Sequence, residues 1–376
     1  MAKKLHILFL CSWFPSRVNP LSGDFVQRHA EAVATKHKVT IIHAITDENL
    51  QSNIEVEITT VNNIKVVIGY IRKFKNPISK YFYFIKIYIK CFEEIDPFNL
   101  VHLNVTYPKG IVALYLKWFK KIPFIITEHW TGYQYPRNES IRFIRKKITQ
   151  LITKYACFVC PVSNQLENSM TKFGLKGNYQ QVSNVVAPTF FTQNINKTVN
   201  PFTITHISHM GNHHKNVIGI IEVIAKLQSV NQNIHFNLIG DRSKQYLPLI
   251  NDLNIKNFSI KDQIQNSEIS NYLSKSSVFV LFSNYENQPC VILESFACGV
   301  PVISTNVGGI SEFFPENFGY LIRPNDKASL EKKILKIYNS ELIIDKISMR
   351  NYANQNFSFE SVCTSYTKLY NICLQN

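Results

Sequence analysis

Short apolar runs of strand length alternate with longer stretches in which apolar positions recur every three or four residues, and this alternation organises the chain. Leu5 to Cys11 reads as a first buried strand, followed by a helix near Asp24 to Thr35 and a second strand from Val39 to Ala44. Further strands are expected at Leu100 to Leu103, Phe124 to Thr127 and Phe158 to Pro161. Runs that are apolar at consecutive positions belong to strands covered on both faces, so the pattern predicts parallel sheets between layers of helices.

Residues 188–202 carry Pro188 and Pro201 and show no periodicity, which reads as a linker. A second strand-helix series follows: Thr203 to Ser208, a helix over Val217 to Leu227, then strands at His235 to Ile239, Val278 to Phe282 and Val302 to Ser304, with helical segments after Asp326. The expected architecture is α/β, with an N-terminal domain over 1–187 and a C-terminal domain over 203–356. Both are doubly wound and Rossmann-like, facing a central cleft into which the strand ends open. The last helix, about 357–376, is expected to pack back on the first domain.

Within the second series, "NYENQPCVILESFACGVP" (284–301) is punctuated by Pro289, Gly299 and Pro301. Pro suits a first helical turn, Gly a C-terminal cap, and the second Pro forbids continuation, so Pro289 to Cys298 is predicted as a short helix. Glu286 then lies in the loop before it and Glu294 on its second turn. The backbone N–H groups of Asn287, Gln288, Cys290 and Val291 gather at a helix N-terminus, which suits a phosphate. Two carboxylates beside it can accept hydrogen bonds from vicinal hydroxyls, and a diphosphate with hydroxyls describes a nucleotide sugar.

The chain is 376 residues long, 45% hydrophobic, with a formal charge of +15. Residues 1–188 hold 25 basic and 12 acidic side chains, +13 of the total. The first half therefore faces something anionic, such as a membrane surface, a nucleic acid or a phosphorylated substrate. No nucleic-acid motif is present. No apolar run approaches the roughly 20 residues of a membrane span, and Leu5 to Cys11 ends in Trp-Phe-Pro without a signal-peptidase site. The eight cysteines lie mostly in apolar runs, the single Cys157-x-x-Cys160 lacks a second pair for zinc, and all are expected to be reduced core residues of a cytosolic protein.

The run "SNYENQPCVILESFACGVPVISTNVGGISEF" resembles the Glu-x7-Glu signature of retaining glycosyltransferases of the family 4 type, which have the GT-B fold. Other landmarks fall in the same order: Pro15 and Gly23 after the first strand, "TEH" at 127–129, "PVS" at 161–163, "HKN" at 214–216 and "LIGD" at 238–241. The resemblance implies that Glu286 contacts hydroxyls of the transferred sugar, that Glu294 holds the ribose, and that Lys215 sits on the diphosphate. It places His129 near the sugar or diphosphate and Ser22 with Gly23 in the loop that approaches the phosphates.

Two departures bear on specificity. His209 stands where relatives usually carry an arginine, and Asn287 and Gln288 replace the glycine and aromatic residue that often follow the first glutamate. The histidines at 206, 209, 213 and 214 fit no familiar metal spacing, and there is no Asp-x-Asp, so neither metal nor cofactor is expected.

The resemblance thus implies a UDP- or GDP-sugar donor and a glycan or lipid-linked acceptor in cell-envelope polysaccharide assembly. The same fold also serves nucleotide-sugar epimerases. A basic non-catalytic protein that binds membrane or nucleic acid would explain the charge but not Glu286, Glu294 and Lys215 together.

"IRKFKNPISKYFYFIKIYIK" (71–90) has six cations, six aromatic residues and no acid. A helix from about Ile78 would set Ile78, Tyr81, Phe82, Ile85, Tyr88 and Ile89 on one side, expected to pack on the sheet, and Lys80, Lys86 and Lys90 on the other. A second helix after Asn138 is expected to bury Ile141, Ile144, Ile148, Leu151, Ile152 and Tyr155. The basic faces, several cations at about 1 kcal/mol each near anionic lipid, carry the expectation of a cytoplasmic enzyme peripherally bound to the inner face of the membrane.

Overall fold

The computed structural model describes residues 4–20, 22–195, 199–262 and 264–375. The chain divides into two compact units, Met1–Val185 with Phe359–Asn376, and Val186–Ser358.

The first unit holds strands β1 (His6–Cys11), β2 (Lys38–Asp47), β3 (Ile54–Val61), β4 (Ile64–Arg72), β5 (Leu100–Asn104), β6 (Phe124–Glu128) and β7 (Val159–Pro161) in the order β3-β4-β2-β1-β5-β6-β7. All neighbours are parallel except the β3–β4 hairpin, whose two-residue turn places Asn62 and Asn63 at positive φ, as asparagine tolerates. Helices α1 (Asp24–Ala34), α2 (Pro77–Glu93), α3 (Gly110–Phe119), α4 (Phe143–Tyr155) and α5 (Asn164–Lys172) connect the strands. Along β1, Ile7, Phe9 and Cys11 enter one core with α1, while Leu8 and Leu10 enter the other with α2 to α5. Burial on both faces explains the unbroken apolar run.

The second unit holds β8 (Phe202–Ile207), β9 (Ile234–Ile239), β10 (Phe258–Lys261), β11 (Val278–Leu281), β12 (Val302–Thr305) and β13 (Gly319–Ile322), all parallel, in the order β10-β9-β8-β11-β12-β13. Its helices are α6 (Asn212–Lys215), α7 (Val217–Val230), α8 (Leu247–Asp252), α9 (Asn266–Leu273), α10 (Cys290–Ala297), α11 (Lys327–Tyr338) and α12 (Lys346–Phe357). The last helix, α13 (Phe359–Gln375), belongs to the first unit and packs beside α1.

Three expectations are corrected here, for the cysteines and for the buried faces of α2 and α4. Cys157 and Cys373 are joined as a disulfide, with Cα atoms 5.8 Å apart, rather than both being reduced; the other six cysteines are free. The cause is the return of α13 to the first sheet, which brings together residues 216 positions apart in sequence.

Helix α2 begins as expected, with Asn76 capping Ile78 N and Pro77 at the first position. It turns a different arc inward. Ile87, Tyr88 and Cys91 are buried with Phe84 beside them, whereas Ile78, Tyr81, Phe82, Ile85 and Ile89 are exposed. Gly69 on β4 fixes this roll, because a Cβ there would stand 2.4 Å from Ile87 Cγ1. In α4, likewise, Ile152 is buried while Ile144, Leu151 and Tyr155 are exposed. Among the described residues, no helix is long and apolar enough to cross a membrane.

Candidate active site

The loop after β8 turns through Gly211 into the single turn of α6, closed by Lys215 N to Gly211 O at 2.7 Å. Asn216 leaves that turn at φ 50°, in the left-handed region, and α7 starts from it. The loop after β11 is stitched to this turn. Asn284 N donates to His214 O at 2.8 Å and Asn284 Nδ2 to His213 O at 2.9 Å. These bonds bring two segments 71 residues apart into register, and Lys215 Nζ donates to Glu286 Oε1 at 2.5 Å.

Both partners are buried, at 8% and 6% exposure. Burial alone would raise the Glu286 pKa, but the Lys215 ammonium outweighs it, and the carboxyl is held below its usual range. The site therefore contains a buried lysine–glutamate pair whose carboxyl is ionised at neutral pH. Only one of the three ammonium N–H bonds goes to Glu286, so the others remain for an anionic ligand.

His214 completes the wall. Its ring stacks on Tyr285 at 4.1 Å, Nε2 meets Tyr285 O at 2.6 Å, and Nδ1 meets His209 Nε2 at 3.0 Å. Burial first and Lys215 second push the His214 pKa down to about 4 and lower that of His209. Both rings are neutral at pH 7, so the 3.7 Å approach of His214 to Glu286 is not a charge pair there.

The loop after β12 closes over Glu286 from the other side. Gly308, at φ 60°, lies so close that a Cβ would fall 1.8 Å from Glu286 O, while Gly309 N donates to Asn287 O at 3.2 Å. A glycine is required at 308 by this contact alone.

Helix α10 begins one residue later than expected, at Cys290, with Pro289 as N-cap and no side-chain cap; Gly299 follows its C-terminus at φ 66°. Its N-terminal partial positive charge lies next to the segment holding Glu286, Asn287 and Gln288, all three buried. Cys290 and Val291, on its first turn, are half-buried. Glu294 is buried at 1% exposure on the next turn, where Oε1 accepts from Asn266 Nδ2 at 3.4 Å.

Of the residues singled out in sequence, the structure thus brings Lys215, Glu286 and His209 into one cluster, adjoining Asn287, Gln288 and the start of α10. Sequence reasoning gave no role to His214, Tyr285, Asn266 or Gly308. His214 was visible as a neighbour of Lys215 and as one of four histidines that fit no metal spacing, and nothing in the spacing announced its stack on Tyr285.

Ser22, Gly23 and His129 belong to the first unit. Gly23 caps α1 at φ 74°, where a Cβ would meet the Trp13 backbone at 2.5 Å, and Ser22 N donates to Asn19 O at 3.3 Å. His129 follows β6 with both ring nitrogens buried, its ring 4.6 Å from Phe25 and 5.3 Å from His29. Burial pushes its pKa down to about 3, against a hydrogen bond with Asn184 that raises it. The preceding Glu128 is locked by bonds from Thr106 N, Thr106 Oγ1, His129 N and Trp130 N. No group of three or more potential metal ligands occurs among the described residues.

Two doubly wound, largely parallel-sheet units of this kind in one chain are the architecture of the GT-B fold. Residues 23–190 match the model of Glycosyltransferase Family 4 and residues 190–356 that of Glycosyl transferases group 1. The chain belongs to this family.

Among curated relatives it is 25% identical to a Methanocaldococcus jannaschii protein named only as a glycosyltransferase, over 95% of this chain and 96% of that one. It is also 25% identical to TuaC of Bacillus subtilis, named for teichuronic acid biosynthesis, over 65% of this chain and 62% of the other. Among solved structures it resembles sucrose-phosphate synthase from Thermosynechococcus elongatus, with a TM-score of 0.76, 18% identity and coverage of 98% and 99%. It also resembles Anabaena HepE in complex with UDP-glucose, with a TM-score of 0.73, 14% identity and coverage of 98% and 100%.

Proposed function

We propose that this glycosyltransferase moves a hexose-type sugar from a UDP- or GDP-sugar to a glycan or lipid-linked acceptor in cell-envelope polysaccharide biosynthesis, with retention of configuration and without a metal ion. The observation that carries the reading is the buried Lys215–Glu286 pair beside the N-terminus of α10. The name of TuaC supports an envelope polysaccharide, and the UDP-glucose bound in HepE supports a uridine donor. A nucleotide-sugar donor places the enzyme in the cytoplasm, and a lipid-linked acceptor places it at the inner face of the membrane.

In this reading the diphosphate takes the spare N–H bonds of Lys215 and the amides that open α10, in the region of Asn287, Gln288, Cys290 and Val291. Glu286 accepts from sugar hydroxyls and Glu294 from the ribose. His209 adjoins the diphosphate and gains a proton from its negative charge, taking over the role of the arginine usual in the family. In the first unit, burial of both His129 ring nitrogens and a pKa lowered to about 3 argue against a part for this residue in proton transfer.

The bond from the anomeric carbon to the diphosphate oxygen breaks while the acceptor oxygen bonds to the same face, and the acceptor hydroxyl proton passes to the departing phosphate oxygen. Charge accumulates on that phosphate in the transition state, where Lys215 and the helix amides are already aimed.

Donor screening by thermal shift tests the reading directly. UDP or GDP should raise the melting temperature, and Glu294→Ala should weaken that nucleotide by at least about tenfold, since a hydrogen bond to a charged group is worth ~1.5–3 kcal/mol. An unchanged shift in the variant would remove Glu294 from the donor site. The stereochemistry is read from the product: NMR of the anomeric proton should show the donor's configuration, and an inverted product rejects the same-face route.

A further inference from the structure

We propose that the outward face of α2 is a membrane-docking surface that inserts apolar side chains into an anionic bilayer. The inference rests on the membrane-linked acceptor proposed above and names the surface that would reach it.

The sequence pattern shows α2 to be amphipathic but leaves its roll open; the structure settles it against burial of the larger apolar arc. Ile78 is 79% exposed, Tyr81 63%, Phe82 57%, Ile85 43% and Ile89 54%. These five side chains lie along about 16 Å of helix at a rise of ~1.5 Å per residue. Contiguous exposed apolar surface of this kind marks an interaction site, because monomeric soluble proteins rarely leave it uncovered.

The flanking charge selects the occupant. Lys86 and Lys90 are exposed beside this arc, and among the described residues neither takes part in an ion pair. No acid occurs between Ile71 and Lys90. A second copy docked face to face would oppose two basic rims, which disfavours self-association. An anionic lipid surface neutralises the cations and receives the apolar side chains together, which is how an interfacial helix binds.

Helix α3, in the same layer over the sheet, adds exposed Tyr115 and Phe119, with rings 5.2 Å apart, and Trp118, which meets Tyr155 of α4 at 5.4 Å. Lys120 and Lys121 follow directly and are exposed. The layer thus repeats the same combination of aromatic rings and cations on its outer surface.

The test is flotation of the full chain with phosphatidylcholine vesicles, alone or with about one-third phosphatidylglycerol, at low and high salt. Enrichment is expected on the anionic vesicles, with a fraction retained at high salt because inserted side chains are not screened. Phe82→Asp with Ile85→Asp should weaken binding by at least about tenfold, since both charges would have to enter the acyl boundary. Lys86→Glu with Lys90→Glu should abolish the salt-sensitive part.

The Phe82→Asp, Ile85→Asp variant should keep the wild-type nucleotide thermal shift, which shows that it folds, and Glu294→Ala should float like wild type. That pairing separates failure of docking from failure of the donor site. Any of these results would overturn the proposal: absence of enrichment on anionic vesicles, flotation of the double aspartate variant like wild type, or a concentration-dependent dimer lost in that variant. Complete release at high salt would equally refute insertion.

Discussion

Lys215→Met is expected to lower sugar transfer by about 10²- to 10³-fold, the loss seen when one donor aimed at developing negative charge is removed. The same substitution should also unsettle the second unit. Glu286 would be left buried with its strongest partner gone, and breaking a buried pair from one side costs about 3–5 kcal/mol. For a unit of this size that corresponds to a fall in melting temperature on the order of 10 °C.

Lys215→Met combined with Glu286→Leu should recover most of the melting temperature while restoring no activity, because replacing both ions with apolar side chains of similar volume is near neutral. This divergence between stability and turnover separates a functional pair from a structural one. Had the pair served only to hold α6 against the loop after β11, the double variant would remain active.

The pH dependence of the single variant adds a second readout. In the native protein the Glu286 pKa lies below its usual value, so its contribution is present above that value and is lost on acidification. Without Lys215, burial dominates and the pKa moves up. At this site the variant should then gain stability as pH falls, opposite to the native behaviour. Melts of variant and native protein at pH 5 and pH 8 decide it: the gap between them should be smaller at pH 5, and a gap as large as at pH 8 contradicts the buried pair.

How much of this was legible in the sequence follows from the range of each interaction. The punctuation by Pro289, Gly299 and Pro301 acts locally and located α10 to within a residue. The family signature pointed to Lys215 and Glu286 separately; their 2.5 Å contact depends on two loops 71 residues apart and leaves no trace in spacing. Asn62 and Asn63 form the turn of a β3–β4 hairpin that was passed over; β3 is mostly exposed with its apolar positions interrupted, although β4 is buried.

For α2, periodicity revealed two arcs but not which one meets the sheet. The smaller arc won because Gly69 admits Ile87, a fit between helix and strand that hydrophobicity alone does not encode. The Cys157–Cys373 link likewise required knowing where α13 returns. Local chemistry was readable, whereas anything set by the meeting of distant surfaces was not.

The first unit should unfold in mild acid, at a pH where an ordinary domain of its size is still folded. His29, His43, His102 and His129 are all held neutral by burial; the pKa of His43 is lowered to about 4, those of His102 and His129 to about 3, and that of His29 falls well below the usual value. His102 is fully buried, its nitrogens bonded to Tyr370 Oη and Thr127 Oγ1 at 2.6 Å each, and burial with nearby His129 is what disfavours its charged form.

In the unfolded chain these rings take up protons near pH 6.5, whereas the folded unit does not until the pH reaches their depressed values. The histidine contribution is therefore flat above about pH 7 and falls as the pH drops, by on the order of 2 kcal/mol per histidine at pH 5. Four such groups amount to ~8 kcal/mol, comparable with the whole stability of a typical domain. Glu128 acts in the opposite sense, since burial raises its pKa and acid favours its folded form, but it is one group against four.

Trp13, Trp118 and Trp130 are the only tryptophans in the chain and all lie in the first unit, so their emission reports this unit alone. The urea midpoint followed by tryptophan emission should fall steeply between pH 7 and pH 5. His102→Gln, which removes one titrating group, should flatten that slope by about a quarter of the four-histidine effect. A midpoint unchanged across this range would mean that the buried rings accept protons without unfolding, and the neutral-histidine core described here would have to be abandoned.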